Sequence, residues 1–201
     1  MGRAVLDAFL TELLSEFGFR RIALLELEKP CGDAVAKLSW PCRTDPRGFA
    51  AFTAIVSLRF AKLNRWFAED GPLGLRLVWS PIHLLRKSRD FSEWKFSDAA
   101  DLQTLRGQVV SDVAEVVVPW FDKWSSLASV GTALESTDQK CWVDLGFSPE
   151  TRVIARAAIL LTDGDKPDAI KLLDDTLAER KGMPAMMWFD IERMRRRVAE
   201  S

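Results

Sequence analysis

The chain carries one histidine, His83, and Arg86, Lys87 and Arg89 follow it within six residues. An imidazole takes up or gives a proton near neutral pH. A guanidinium can hold a carboxylate or phosphate through two parallel hydrogen bonds. Trp79 before this basic stretch and Trp94 after it supply large rings that can wall a site. Trp79, His83, Arg86 and Trp94 are therefore the candidate binding residues, and Arg86 is the first choice as an anion clamp. The same cations also suit a plainer role, keeping an edge strand soluble and unpaired.

Other chemistries find no support. No Gly-x-Ser-x-Gly elbow presents a serine nucleophile. Cys31, Cys42 and Cys141 stand 11 and 99 positions apart, which is not zinc-ligand spacing. Cys141 and His83 have no spacing that pairs them as nucleophile and base. Asp163, Gly164 and Asp165 begin like a calcium loop, but Pro167 follows and the later oxygen ligands are missing. Gly71, Pro72, Leu73 and Gly74 lack the Lys-Ser/Thr of a phosphate loop. No catalytic set, metal or cofactor is expected.

Charge narrows the partners. Lys and Arg total 28 against 29 Asp and Glu, a net charge of −1, so no whole-chain field gathers nucleic acid or anionic lipid. Arg193, Arg195, Arg196 and Arg197 cluster near the end, interleaved with Asp190, Glu192 and Glu200. They read as cations at the negative end of a helix. Eight tryptophans and no tyrosine are the unusual feature. Trp40, Trp79, Trp120 and Trp124 fall at core-facing periods. Trp66, Trp94, Trp142 and Trp188 lie in less regular contexts, where rings can form protein contacts. The first residues show no secretory leader, and no apolar run approaches the ~18 residues of a membrane span. A soluble, cytoplasmic chain with reduced thiols is expected. Cys31 and Cys42 would lie beyond opposite ends of a strand at 34–40, too far apart to bridge.

These side chains need a frame, and 201 residues that are 48% apolar can build one. Leu6, Phe9, Leu10, Leu13, Leu14 and Phe17 recur at helical spacing, with Gly18 as the cap. The period then falls to two. Strands are predicted at 21–29, 34–40, 52–60 and 73–79, with a polar loop at 41–48 and a short helix at 61–70. Short connections imply antiparallel pairing. Ser97 or Asp98 caps a long helix with Leu102, Leu105, Val109, Val113 and Val116 on its apolar face, and Pro119 kinks or restarts it. Residues 136–146 read as a linker. Helices follow at 150–161, 168–181 and 185–199, the first two echoing a tetratricopeptide hairpin.

The expected fold is α+β: an antiparallel sheet of about four strands packed by the first helix and the long helix. Its domain is 1–135, and residues 136–201 hold the linker and a C-terminal three-helix region packed on it. Phe17-Gly18-Phe19-Arg20-Arg21, Phe52-Thr53, Trp94 and Pro119-Trp120-Phe121-Asp122-Lys123-Trp124 carry a resemblance covering roughly 5–134. In these residues the chain resembles a bacterial family called domain of unknown function 4304. An apolar 36–40 departs from the more polar second strand of that pattern. The resemblance implies a fold and a bacterial setting, not a reaction. The functional expectation is a non-catalytic binding or protein-interaction module with a protein partner, as in immunity systems. The alternative is a hydrolase or nucleic-acid-processing enzyme built on His83 and the basic loop.

Overall fold

The computed structural model describes residues 2–63, 78–86, 93–138, 145–146, 148–179 and 189–200. The fold is α+β, as expected, with helices and antiparallel strand pairs. Packing divides the chain into two compact units, residues 1–59 with 79–126 and residues 60–78 with 127–201.

The first unit opens with α1 (Gly2–Ser15), which buries Leu6, Phe9, Leu10, Leu13 and Leu14 along one side. Its end is set by Gly18 at φ 78°. That conformation lets Gly18 N–H reach Ser15 O at 2.9 Å and Phe19 N–H reach Leu14 O at 3.2 Å, which closes the last turn.

The predicted strand at 21–29 is instead a hairpin, β1 (Arg20–Ala23) and β2 (Glu26–Cys31), turned at Leu24 and Leu25. Nothing in Leu-Leu signals a turn, and Leu25 sits at φ 58° without being glycine. A distant group stabilises it. Asp7 on α1, only 6% exposed, accepts the Leu25 N–H at 2.6 Å and meets Arg21 Nε at 2.7 Å. Asp7→Ala is expected to cost roughly 1.5–3 kcal/mol, the range for a charged hydrogen bond. Asp7→Asn should cost less because it keeps an acceptor. Urea midpoints of both variants check this, and an unchanged midpoint for Asp7→Ala would remove the carboxylate from the account of the turn.

β2 pairs with β3 (Ala34–Ser39) from Glu26↔Ser39 to Cys31↔Ala34. Gly32 and Asp33 make the two-residue connection, with Gly32 at φ 55°. Cys31 and Cys42 are free thiols. The predicted strand at 52–60 breaks into two. β5 (Ala50–Phe52) ends, Thr53 and Ala54 turn, and β6 (Ile55–Phe60) begins in a different sheet. Phe52, Ala54, Val56, Leu58 and Phe60 are all buried, but so is Ser57 between them, so the alternation holds only in part. The bend is backbone chemistry: Thr53 N–H donates to Pro41 O at 3.2 Å, and Ala54 O accepts from Ile82 N–H at 2.9 Å.

The single sheet of about four strands becomes two sheets. The main one has five strands in the order β1-β2-β3-β6-β7, with β7 at Val78–Pro81. The other runs β4-β5-β8, from β4 (Cys42–Thr44) and β8 (Trp94–Phe96). β4 lies within the stretch read as a polar loop. Arg43 and Thr44 are exposed, so its composition resembles a loop, and pairing with Ala50 to Phe52 makes it a strand. β8 lies within the stretch read as irregular, beyond the one-turn helix α2 (Ile82–Leu85).

Asp98 is the cap of α3 (Ala99–Asp112), accepting Asp101 N–H at 2.9 Å. The helix continues through a wide π turn (Val113–Val117) into α4 (Val118–Trp124). Val118 N–H reaches back five residues to Val113 O. Pro119 then enters at the start of α4, where its missing N–H is tolerated. Val117 rather than Val116 continues the buried face toward Trp120, Phe121 and Trp124.

The second unit holds α5 (Leu127–Glu135), α6 (Pro149–Thr162), α7 (Lys166–Glu179) and α8 (Phe189–Glu200). The three C-terminal helices were predicted. Ser148 and Thr151 form a reciprocal cap on α6. Arg152 donates to Leu134 O at 2.6 Å and Ser136 O at 2.9 Å, tying α6 to the end of α5. α8 turns Ile191, Met194 and Val198 inward. Arg195 binds Asp174 on α7 at 2.7 and 3.0 Å and Arg193 meets Asp190, while only Arg197 of this basic cluster lies in the last turn of α8.

Most of the predicted helix at 61–70, the start of the strand at 73–79 and most of the linker lie outside the described residues. So do Trp66, Cys141, Trp142, Trp188, Lys87 and Arg89.

Candidate functional site

A cleft of about 350 Å³ lies in the first unit, lined by Arg86, Glu93, Trp94, Gln108, Ser111 and Asp112. Three elements supply it. Arg86 caps the end of α2, its N–H on Ile82 O at 3.2 Å. Glu93 immediately precedes β8, whose pleat turns Trp94 and Phe96 inward and Lys95 out. Gln108, Ser111 and Asp112 stand at helical spacing on one side of α3.

The charged groups of the cleft are engaged with one another. Arg86 Nε–H donates to Asp112 Oδ1 at 3.0 Å and Nη2 donates to Oδ2 at 2.7 Å. These side chains are 14% and 18% exposed, so solvent screens the pair only in part. The guanidinium also lies 5.0 Å from the centre of the Trp94 ring. Trp94 in turn stacks on Phe52 at 5.2 Å and tilts against Trp40 at 5.9 Å. At the other side Arg43 grips Glu93 through two hydrogen bonds of 3.1 and 2.5 Å. This contact holds the Glu93 carboxyl below the usual carboxylate range, and Lys95 adds a smaller push the same way. Ser111 Oγ donates to Glu115 at 2.9 Å.

Two of the four predicted residues, Arg86 and Trp94, meet here. The other two do not. His83 is half-buried on α2 and is not on the lining. Trp79 is 36% exposed and also off the lining. The inward residues of β7 are Val78 and Ser80, so the core-facing assignment of Trp79 is corrected. A shift of one residue in a strand exchanges its two faces. The anion-clamp reading of Arg86 changes as well, because its two parallel hydrogen bonds go to Asp112. Sequence reasoning missed Asp112, Glu93 and Arg43. The available signal was the polar trio Gln108, Ser111 and Asp112 on the side of α3 away from its apolar face.

The lowered Glu93 carboxyl gives a sign for pH. Its contribution to stability is present above the unfolded value, ~4.3, and is lost as pH falls through the folded value. Glu93→Gln is expected to make acid unfolding less steep below about pH 4. Denaturation midpoints across that range check it, and parallel profiles for variant and wild type would count against the pairing.

Among the described residues no three His, Cys, Asp or Glu side chains cluster as metal ligands, and no helix is long and apolar enough to cross a membrane. No family model, no curated protein and no solved structure matches the chain.

Proposed function

We propose that the chain is a non-catalytic binding module whose partner is a protein, of the kind that immunity proteins exemplify, acting in a bacterial cytoplasm. The observation that carries this reading is the closed Arg86–Asp112 pair in the cleft. Catalysis needs a nucleophile or an acid–base group poised to meet a substrate. Here the strongest groups are bound to each other, and the one imidazole stands off the lining. Two doubly hydrogen-bonded pairs around an aromatic floor make a stiff surface, which suits recognition. The bacterial setting rests on the resemblance carried by Phe17 to Arg21 and Pro119 to Trp124.

The test sets the enzyme alternative against the module. The purified chain is assayed on ester, phosphodiester and RNA substrates, alone and as His83→Ala and Arg86→Ala. In parallel it is mixed with proteins of its host, and any bound protein is purified and recombined with it. The expected result is no turnover and a stoichiometric complex from two purified components. Turnover that disappears in His83→Ala or Arg86→Ala would overturn the module reading.

A further inference from the structure

The outer face of the main sheet offers a surface with a definite character. Trp79 projects from β7, an edge strand of that sheet, while Val78 and Ser80 point to the core. Leu84 follows on α2 and is 39% exposed. Two large apolar side chains thus stand in solvent within six residues of chain, with His83 half-buried between them in sequence. On the neighbouring strand β6, Val56 and Leu58 are buried and Arg59 is turned out, which places Arg59 on the same face as Trp79.

Among the described residues, charge on this face is one-sided toward β7. Glu28 on β2 is shared: Arg20 holds it at 2.9 Å and Arg59 approaches only to 3.9 Å. Lys37 is matched by Glu26 at 2.8 Å. Three cations therefore meet two carboxylates, and Arg59 is the loosely held charge, 47% exposed. No Asp or Glu occurs in β6, β7 or α2. An exposed tryptophan, an exposed leucine five residues on and an undercommitted arginine on the adjacent strand are the composition of an interface anchor.

We infer that the Trp79–Leu84 surface, with Arg59 at its rim, docks an acidic protein partner that presents an apolar pocket bordered by carboxylates. Trp79 fills the pocket. Arg59 exchanges its long contact with Glu28 for a carboxylate of the partner. This rests on the reading of the chain as a protein-binding module and names where and what it binds.

The experiment uses the full chain with Leu84→p-benzoylphenylalanine, irradiated in cells of its host. The crosslinked protein is identified, purified separately and titrated by calorimetry against wild type, Trp79→Ala and Arg59→Glu. Thermal midpoints of the variants confirm folding, which the exposure of both side chains favours. The expected adduct is an acidic protein. Trp79→Ala should weaken its binding by at least ~30-fold, as for an anchor residue. Arg59→Glu should weaken it most at low salt, with the loss shrinking as salt rises. An adduct with a second copy of the chain, a basic partner, or no adduct would overturn the inference. A partner that binds Trp79→Ala as tightly as wild type would overturn this surface alone and leave the binding-module reading standing. Substrate turnover with no partner would overturn both.

Discussion

Trp120→Ala is expected to lower the unfolding free energy by roughly 3–5 kcal/mol, the range for truncating a large buried ring. Trp120 is 7% exposed, and its neighbour Phe121 is fully buried. The two rings meet edge to face at 5.4 Å, and Phe121 tilts against Phe19 at 6.0 Å. Phe19 is the residue that follows the closing turn of α1, so this contact joins α4 to the end of α1. The substitution therefore empties buried space beside a fully buried ring, in a close-packed interior that collapses into a gap only at a cost. Against a typical stability of ~5–15 kcal/mol, that loss should also reduce soluble yield. Trp79→Ala is the internal control, since its ring is 36% exposed and its loss should cost much less. Urea midpoints decide the matter. Equal losses for the two tryptophans would mean that Trp120 is not packed as described.

What could be read in advance follows from how local each signal is. α1 was legible because its apolar spacing and Gly18 both act within a few residues. The cap at Ser97 or Asp98 and the C-terminal helices were legible for the same reason. The hairpin at Leu24 and Leu25 was not, because the group that fixes it, Asp7, is 18 positions away. β4 was hidden since only its pairing with β5 distinguishes it from a loop. The bend at Thr53 and Ala54 was hidden because burial continued through it without a break. Hydrophobic alternation reports which side chains go inside. It does not report which sheet the backbone joins.

The cleft was legible in half. Arg86 and Trp94 were singled out by residue type, and the fold brings them within 5.0 Å. Their partners come from elsewhere: Asp112 is 26 positions beyond Arg86, and Arg43 is 50 before Glu93. A cluster of cations in sequence says nothing about the carboxylates that tertiary structure brings to it. For that reason Arg86 read as a clamp awaiting an anion, although its fork is filled from within. Trp79 shows the complementary error. Its place on a strand was right and its face was wrong, and the correction made it the anchor of the proposed interface.

Gly32→Ala is expected to cost roughly 2–5 kcal/mol, from two sources that can be separated. The first is conformational. Gly32 sits at φ 55°, where a side chain costs ~1–2 kcal/mol. The second is collision. A Cβ at this position would lie 2.7 Å from the backbone oxygen of Ser125 and 2.9 Å from its Cβ. Overpacking of this kind typically costs ~1–3 kcal/mol. Relief is difficult because the nearest atom is a carbonyl that is itself in use, accepting the Asp33 N–H at 2.9 Å. That hydrogen bond docks the β2–β3 turn on the end of α4, so moving Ser125 to admit a methyl group gives up the contact. Gly48→Ala bounds the conformational part from above, since Gly48 has nothing within 4 Å of its would-be Cβ and its φ of 92° lies further outside the left-handed region open to an L residue than 55° does. Any excess of Gly32→Ala over Gly48→Ala is therefore a lower bound on the collision. Ser125→Ala should not rescue Gly32→Ala, because it leaves the obstructing carbonyl in place. Chemical denaturation of the three single variants and the Gly32→Ala/Ser125→Ala double variant gives the answer. If Gly32→Ala lost no more than the ~1–2 kcal/mol of the conformational part, or if Ser125→Ala restored it fully, the turn would not be seated against the backbone of α4, and the order of packing in the first unit would have to be redrawn.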